Sequence, residues 1–287
     1  MATIPRIFDR DRIAGHLRRS DRAPEDFVTR IVLDDLAARL IAITRTFEQA
    51  IILGPDGARL PVMGRSAGGP FAFERASTVL GSDGAPLVDP EMLELSRSGY
   101  DLIVSLFDLQ VINDVPGFLS RLRAHLRPDG LLIAAGLGGD TLTELRQAFL
   151  EADAAISGGA FARVAPFIQL ADAGGLLQRA GLALPVTDLE AYPVRYADAL
   201  RLMRELKALG AQNPLAEQPD RLATRTLLAR AISAYQAIAG DPDGRVRATL
   251  EIIWLLGWAP HESQQQPLKR GSATVRLKDV LKQPPGD

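Results

Sequence analysis

The 287-residue chain contains no cysteine, which excludes disulfides, thiolate-ligated zinc, iron–sulfur clusters and a cysteine nucleophile together. Histidine is scarce, at three residues, and no His-Glu-x-x-His spacing occurs, so a local histidine-rich metal site is not expected. Lysine occurs only at 207, 269, 278 and 282. Arginine supplies the other cations, and 33 basic against 35 acidic residues leave a formal net charge of -2. That balance lacks the cationic footprint from which nucleic-acid binders draw most of their non-specific affinity. No apolar run approaches the roughly 20 residues needed to span a bilayer. Gly-x-Ser-x-Gly and Walker loops are both missing, which lowers the hydrolase and phosphoryl-transfer readings. The first twenty residues have no apolar h-region, and Asp9 and Asp11 interrupt their arginines, so the expected compartment is the cytoplasm.

What remains is ordinary globular composition, 47% hydrophobic and 24% charged, with enough chain for one large domain. Apolar residues from Phe27 to Ile43, mostly three or four apart, predict a helix over residues 24–46 with Pro24 at its start. Strands are expected at 49–53, 71–76 and 100–106; Tyr100 to Leu106 is the continuous apolar run of a parallel strand covered on both faces. A helix at 116–126 ends at Arg127-Pro128-Asp129-Gly130, and a buried strand follows from Leu131 to Ala135. Helices are expected at 141–154 and 172–180, the second closed by Gly181. Strands at 183–191 and 245–258 then flank two helices, 197–210 and 220–239, broken by Asn213-Pro214 and Gln218-Pro219. The alternation predicts an α/β, doubly wound, mostly parallel sheet. It divides into an N-terminal helical segment (1–46), a main domain (47–263) with a helical insertion (197–240), and a polar tail (264–287).

Several residues carry candidate chemistry. Gly138-Gly139-Asp140-Thr141 stands after a strand and opens a helix, with Asp140 placed as N-cap and Glu144 in the first turn. Capping alone is worth about 1 kcal/mol, and it competes evenly with ligand binding at the carboxyl ends of the strands. Arg146 is placed to meet an anionic group, though such an arginine is more commonly a solvated or salt-bridged surface residue. His261-Glu262 is the best acid–base pair on offer, with packing or capping an equal alternative. Asp108 and Gln110 follow the Tyr100 strand, where a polar cluster without chemistry is as good an account as a binding site.

Tyr100 to Ser105, Val111-Ile112-Asn113-Asp114-Val115-Pro116 and Leu126-Arg127-Pro128-Asp129-Gly130-Leu131 resemble the second half of class I S-adenosylmethionine-dependent methyltransferases. More specific stretches are Ile7-Phe8-Asp9-Arg10, Gly138 to Arg146, Gly257-Trp258 with His261-Glu262-Ser263, and Arg270-Gly271-Ser272-Ala273. With them the chain resembles the methyltransferase-like family that includes a mitochondrial respiratory complex I assembly factor and its alphaproteobacterial relatives. The resemblance runs from about residue 7 to 276. It implies a seven-stranded Rossmann-like sheet, S-adenosylmethionine as cofactor, and a protein as partner or substrate, an arginine on a complex I subunit in the assembly-factor members. Carried over, it puts Gly54, Glu74, Asp89 and Asp108 at the cofactor and Asp140, Arg146 and His261 near the substrate, with no metal.

One segment departs from that pattern. Mapping Leu-Asp-Leu-Gly-x-Gly-x-Gly onto the chain places Ile52 at the acid, Gly54 at the first glycine, Asp56 at the second and Ala58 at the third. Pro55 removes a backbone donor and Asp56 adds negative charge where an anion cradle needs open N–H groups. A carboxylate about 4 Å from the methionine carboxylate is repelled by roughly 4 kcal/mol at an effective dielectric of 20, which weakens binding on the order of a thousandfold. Two readings follow: an S-adenosylmethionine-dependent enzyme modifying a protein side chain, or a non-catalytic binding and assembly module on the same fold, holding its partner through the Gly139-Asp140, Trp258-His261 and Arg270-Gly271 segments.

Overall fold

A computed structural model describes residues 6–20, 26–217 and 223–265. Pro24, the Gln218-Pro219 break and the Arg270-Gly271-Ser272-Ala273 segment lie outside the described residues.

Two helices come first, α1 (Arg10–Arg18) and α2 (Phe27–Ile41), each started by an aspartate. Asp26 accepts from the amides of Val28 and Thr29, so α2 begins at Phe27, three residues later than the apolar spacing places it. Strand β1 (Ala50–Asp56) follows, then β2 (Met63–Ser66), β3 (Gly69–Leu80) and β4 (Tyr100–Leu106). Next come α3 (Val115–His125), β5 (Leu126–Leu137), α4 (Thr143–Ser157), α5 (Leu170–Arg179) and β6 (Ala183–Tyr196). The inserted pair α6 (Ala199–Ala208) and α7 (Arg225–Ala239) precedes the last strand, β7 (Val246–Trp258).

The seven strands form one sheet in the order β2-β3-β1-β4-β5-β7-β6. β3, β1, β4 and β5 are parallel neighbours; β2 pairs antiparallel with β3, and β7 runs antiparallel between β5 and β6. The period-two alternation of strand side chains builds two cores at once. Ile51, Leu53, Ile103 and Leu132 face α3 and α5, while Ile52, Val104, Ile133 and Trp254 face α2. Every residue of β4 is buried, which is what a strand with helices on both faces requires. α5 ends as its sequence indicates: Gly181 takes φ +77°, and the amides of Gly181 and Leu182 close back onto Gln178 and Leu177.

The connection after β1 differs from expectation. Gly54-Pro55-Asp56 is not a loop but the end of the strand, carried past Leu53 by pairing with β3. A short 3-10 turn, Gly57–Arg59, and the β2–β3 hairpin make the whole crossover to the next parallel strand, with no α-helix in it. α4 also starts differently. Its N-cap is Leu142, in the left-handed region at φ 56° and without a side-chain cap, so Asp140 does not cap the helix.

Candidate functional site

The carboxyl ends of the parallel strands point into a chamber of about 670 Å³. Its floor is strand ends: Gly54 and Pro55 of β1, Leu106 of β4, Leu137 of β5, and Ala248 and Leu250 of β7. Walls come from Ile13 and Leu17 of α1, Leu145 and Phe149 of α4, and Leu202, Met203 and Leu206 of α6. The amphipathic stripe of α6 thus turns the inserted helices into a roof. The roof is tied down by backbone: the amide of Asp9 donates to Pro214, that of Ala216 donates to Ile7, and Asn213 Nδ2 donates to the carbonyl of Ala162. Asn113 Oδ1 accepts from the amides of Ile7 and Phe8, at 2.7 and 2.8 Å, joining the chain's beginning to the segment after β4.

Beside the chamber a polar knot is buried at the ends of β3 and β4. Asp108 is fully buried and accepts from Thr78 Oγ1 at 2.5 Å and Ser105 Oγ at 2.7 Å. Burial pushes its carboxyl up to about 6, against the two hydroxyls and the Arg10 charge, which act the other way. Arg10 donates to the carbonyl of Thr78, and its Nη1 is buried without a partner among the described residues. Asp108 is therefore at the strand ends, as expected, but engaged with the protein itself. Thr78, Ser105 and Arg10 are not among the site residues the sequence points to; Arg10 belongs to the Ile7–Arg10 stretch, and only the fold brings its charge near enough to act on Asp108.

The residues do not fit an S-adenosyl group held in the way the resemblance implies. After β1 comes only the three-residue 3-10 turn Gly57–Arg59, with no α-helix N-terminus to receive an anion. Pro55 has no N–H, the Gly57 amide goes to Ser77 Oγ at 2.9 Å, and the Ala58 amide goes to the Asp56 side chain at 3.3 Å. Gly57 has no room beside it: a Cβ there would stand 2.8 Å from Ala76 O and Ser77 Oγ and 2.9 Å from Ala85 Cβ. The end of β3, where a ribose-binding acid belongs, carries Val79 and Leu80 packed under Phe8, Ile13 and Ala14.

The other site candidates are scattered. Gly54 reaches the chamber floor, where a Cβ would meet Leu106 O at 2.9 Å. Glu74 pairs in register with Ile51, three residues before Gly54, and bonds Ser96 Oγ and, at 2.9 Å, Tyr100 Oη; it lies toward the amino ends of the strands. Asp89 is exposed and accepts from the Glu91 amide, fixing a turn. Gln110 lines the chamber. Asp140 is exposed, its amide donating to Glu251 Oε2 at 2.8 Å, while Glu144 accepts from Thr249. The Gly138–Glu144 motif so docks a loop onto β7. Arg146 donates to the carbonyls of Thr141 and Ala165 and faces no described acid. His261 lies beyond Trp258, which pairs with Leu131 at the start of the straight part of β5, whereas Asp140 lies beyond Leu137. Six residue steps of about 3.3 Å put roughly 20 Å of sheet between them. His261 bonds Ser263 Oγ at 2.7 Å and cannot work with Asp140 or Arg146 in one site. No cluster of potential metal ligands occurs among the described residues.

No family profile matches the chain. Over 305 aligned residues it is 33% identical to human "Arginine-hydroxylase NDUFAF5, mitochondrial", covering 99% of this chain and 88% of that protein. The zebrafish (Danio rerio) protein of the same name is 37% identical over 196 residues, 68% of this chain and 61% of its own length. A "Malonyl-[acyl-carrier protein] O-methyltransferase" of Laribacter hongkongensis is 38% identical over 189 residues, 66% of this chain and 61% of that protein.

Proposed function

The chain belongs to the class I methyltransferase-like family of the NDUFAF5 arginine-hydroxylases, and from that premise we propose that it assists assembly of a respiratory complex by binding a protein subunit. In this reading S-adenosylmethionine is not held at the β1 end, and the sheet serves as a scaffold for the partner. The observation that carries it is the crossover from β1 to β3, which has no α-helix and is closed at Gly57 by Ser77 and Ala85. A binding module loses nothing by that closure, whereas a transferase loses its anion cradle. The work takes place in the cytoplasm, on the sequence grounds already given.

A second reading keeps chemistry: modification of a protein side chain with S-adenosylmethionine bound in an altered pose. It is favoured by Gly54 and Pro55, which still open onto the chamber, and by the activities in the names of the relatives. Deletion of the gene in its own host tests the assembly role. Loss of assembled complex I on a native gel, restored by the wild-type chain, supports it; normal assembly in the deletion strain rejects it.

A further inference from the structure

The chamber under α6 has a chemistry of its own. Its volume, about 670 Å³, falls in the range of roughly 300–1,000 Å³ in which pockets engulf small ligands. Most of its polar lining is already committed. Arg163 is held by Asp153 at 2.6 and 2.7 Å, Thr249 by Glu144, and Thr141 by the backbone of Glu251. Asp26 serves the amides of Val28 and Thr29, and Asp56 that of Ala58. A ligand entering here meets mainly hydrocarbon: Leu, Ile, Val and Phe side chains, with Met203 free to adapt its shape. A ribose or a zwitterion would leave its polar groups unpaired against such walls.

One cation breaks the pattern. Lys207, the only lysine before residue 269, lines the chamber from α6, is exposed, and forms no ion pair among the described residues. We propose that the chamber binds the hydrocarbon chain of a fatty acid, with Lys207 meeting the carboxylate at the mouth. The assignment joins three features: an apolar interior of ligand size, polar neighbours mostly satisfied by the protein, and, among the described residues, an uncommitted positive charge at Lys207 beside it. It stands independently of the assembly role, since a chain without any partner would bind the same ligand.

The test is displacement of cis-parinaric acid from the full-length protein by saturated fatty acids from octanoate to palmitate, below their micelle concentrations. The expected result is one site whose affinity rises about fourfold per added methylene until the chamber is full. Lys207→Glu should weaken dodecanoate at least tenfold while leaving dodecanol unchanged. Ala248→Phe, which fills the floor, should shorten the longest chain accepted; its folding is checked by circular dichroism, and the other two measurements do not depend on it. Absence of saturable displacement, or an affinity flat with chain length, overturns the proposal. Equal effects of Lys207→Glu on acid and alcohol overturn the carboxylate assignment.

Discussion

Replacing Asp108 with asparagine should make the protein more stable at neutral pH. The carboxyl is fully buried between Thr78 and Ser105, and burial raises it from the ordinary 3.8 to about 6. In the unfolded chain the group loses its proton near 3.8; in the folded protein it holds the proton until about 6. Its stabilising contribution is thus fully present below pH 3.8 and is lost as pH rises through the folded value, leaving a constant cost above it. A displacement of some two units corresponds to about 3 kcal/mol. Asparagine keeps the shape, and one of the two hydroxyls can turn to accept from its Nδ2, but it has no proton to lose, so Asp108→Asn should gain up to that amount at pH 7. Urea unfolding followed by the fluorescence of Trp254 and Trp258, from pH 4 to 7.5, measures it. The gap between variant and wild type should open between pH 4 and 6 and stay flat above. A gap independent of pH, or a variant less stable at pH 7, would mean that the Arg10–Asp108 attraction outweighs the cost of burial.

Arg163→Ala strands Asp153, fully buried and held by two guanidinium bonds, and should cost about 3–5 kcal/mol; the urea midpoint reports it. Gly57→Ala pushes a methyl against Ala76 O and Ser77 Oγ and should cost about 1–3 kcal/mol. A thermal melt unchanged by that substitution would show that the turn after β1 is more open than described. His261→Ala removes an exposed side chain at the amino edge and should change stability by no more than about 0.5 kcal/mol. If it abolished a modifying activity, the separation of His261 from the chamber would be misjudged.

Much of the fold was legible where a single physical cause dominates. β4 spans Tyr100–Leu106 as its apolar run indicates, because a strand covered on both faces must be apolar throughout. Gly181 closes α5 because a left-handed residue is needed there. Reading failed where distant pairing overrides local composition. Gly-Pro-Asp-Gly has the composition of a turn, yet its first three residues remain in β1 because β3 runs alongside them. Asp140 looks like an N-cap, but Glu251 and Thr249 of β7 draw the preceding loop onto the sheet, and the helix starts at Thr143 instead. Asp140, Arg146 and His261 each have a plausible local role. Only the antiparallel course of β7 reveals that His261 lies at the opposite end of the strands. The chamber was not legible at all, since its walls come from α1, α2, α4, α6, α7 and the ends of five strands.

If the chain keeps a methyltransferase architecture without the ordinary cofactor cradle, calorimetric titration of the full-length protein with S-adenosylmethionine and S-adenosylhomocysteine will show it. No saturable heat is expected up to millimolar ligand. Binding of one equivalent in the low micromolar range would contradict it and favour the enzymatic reading.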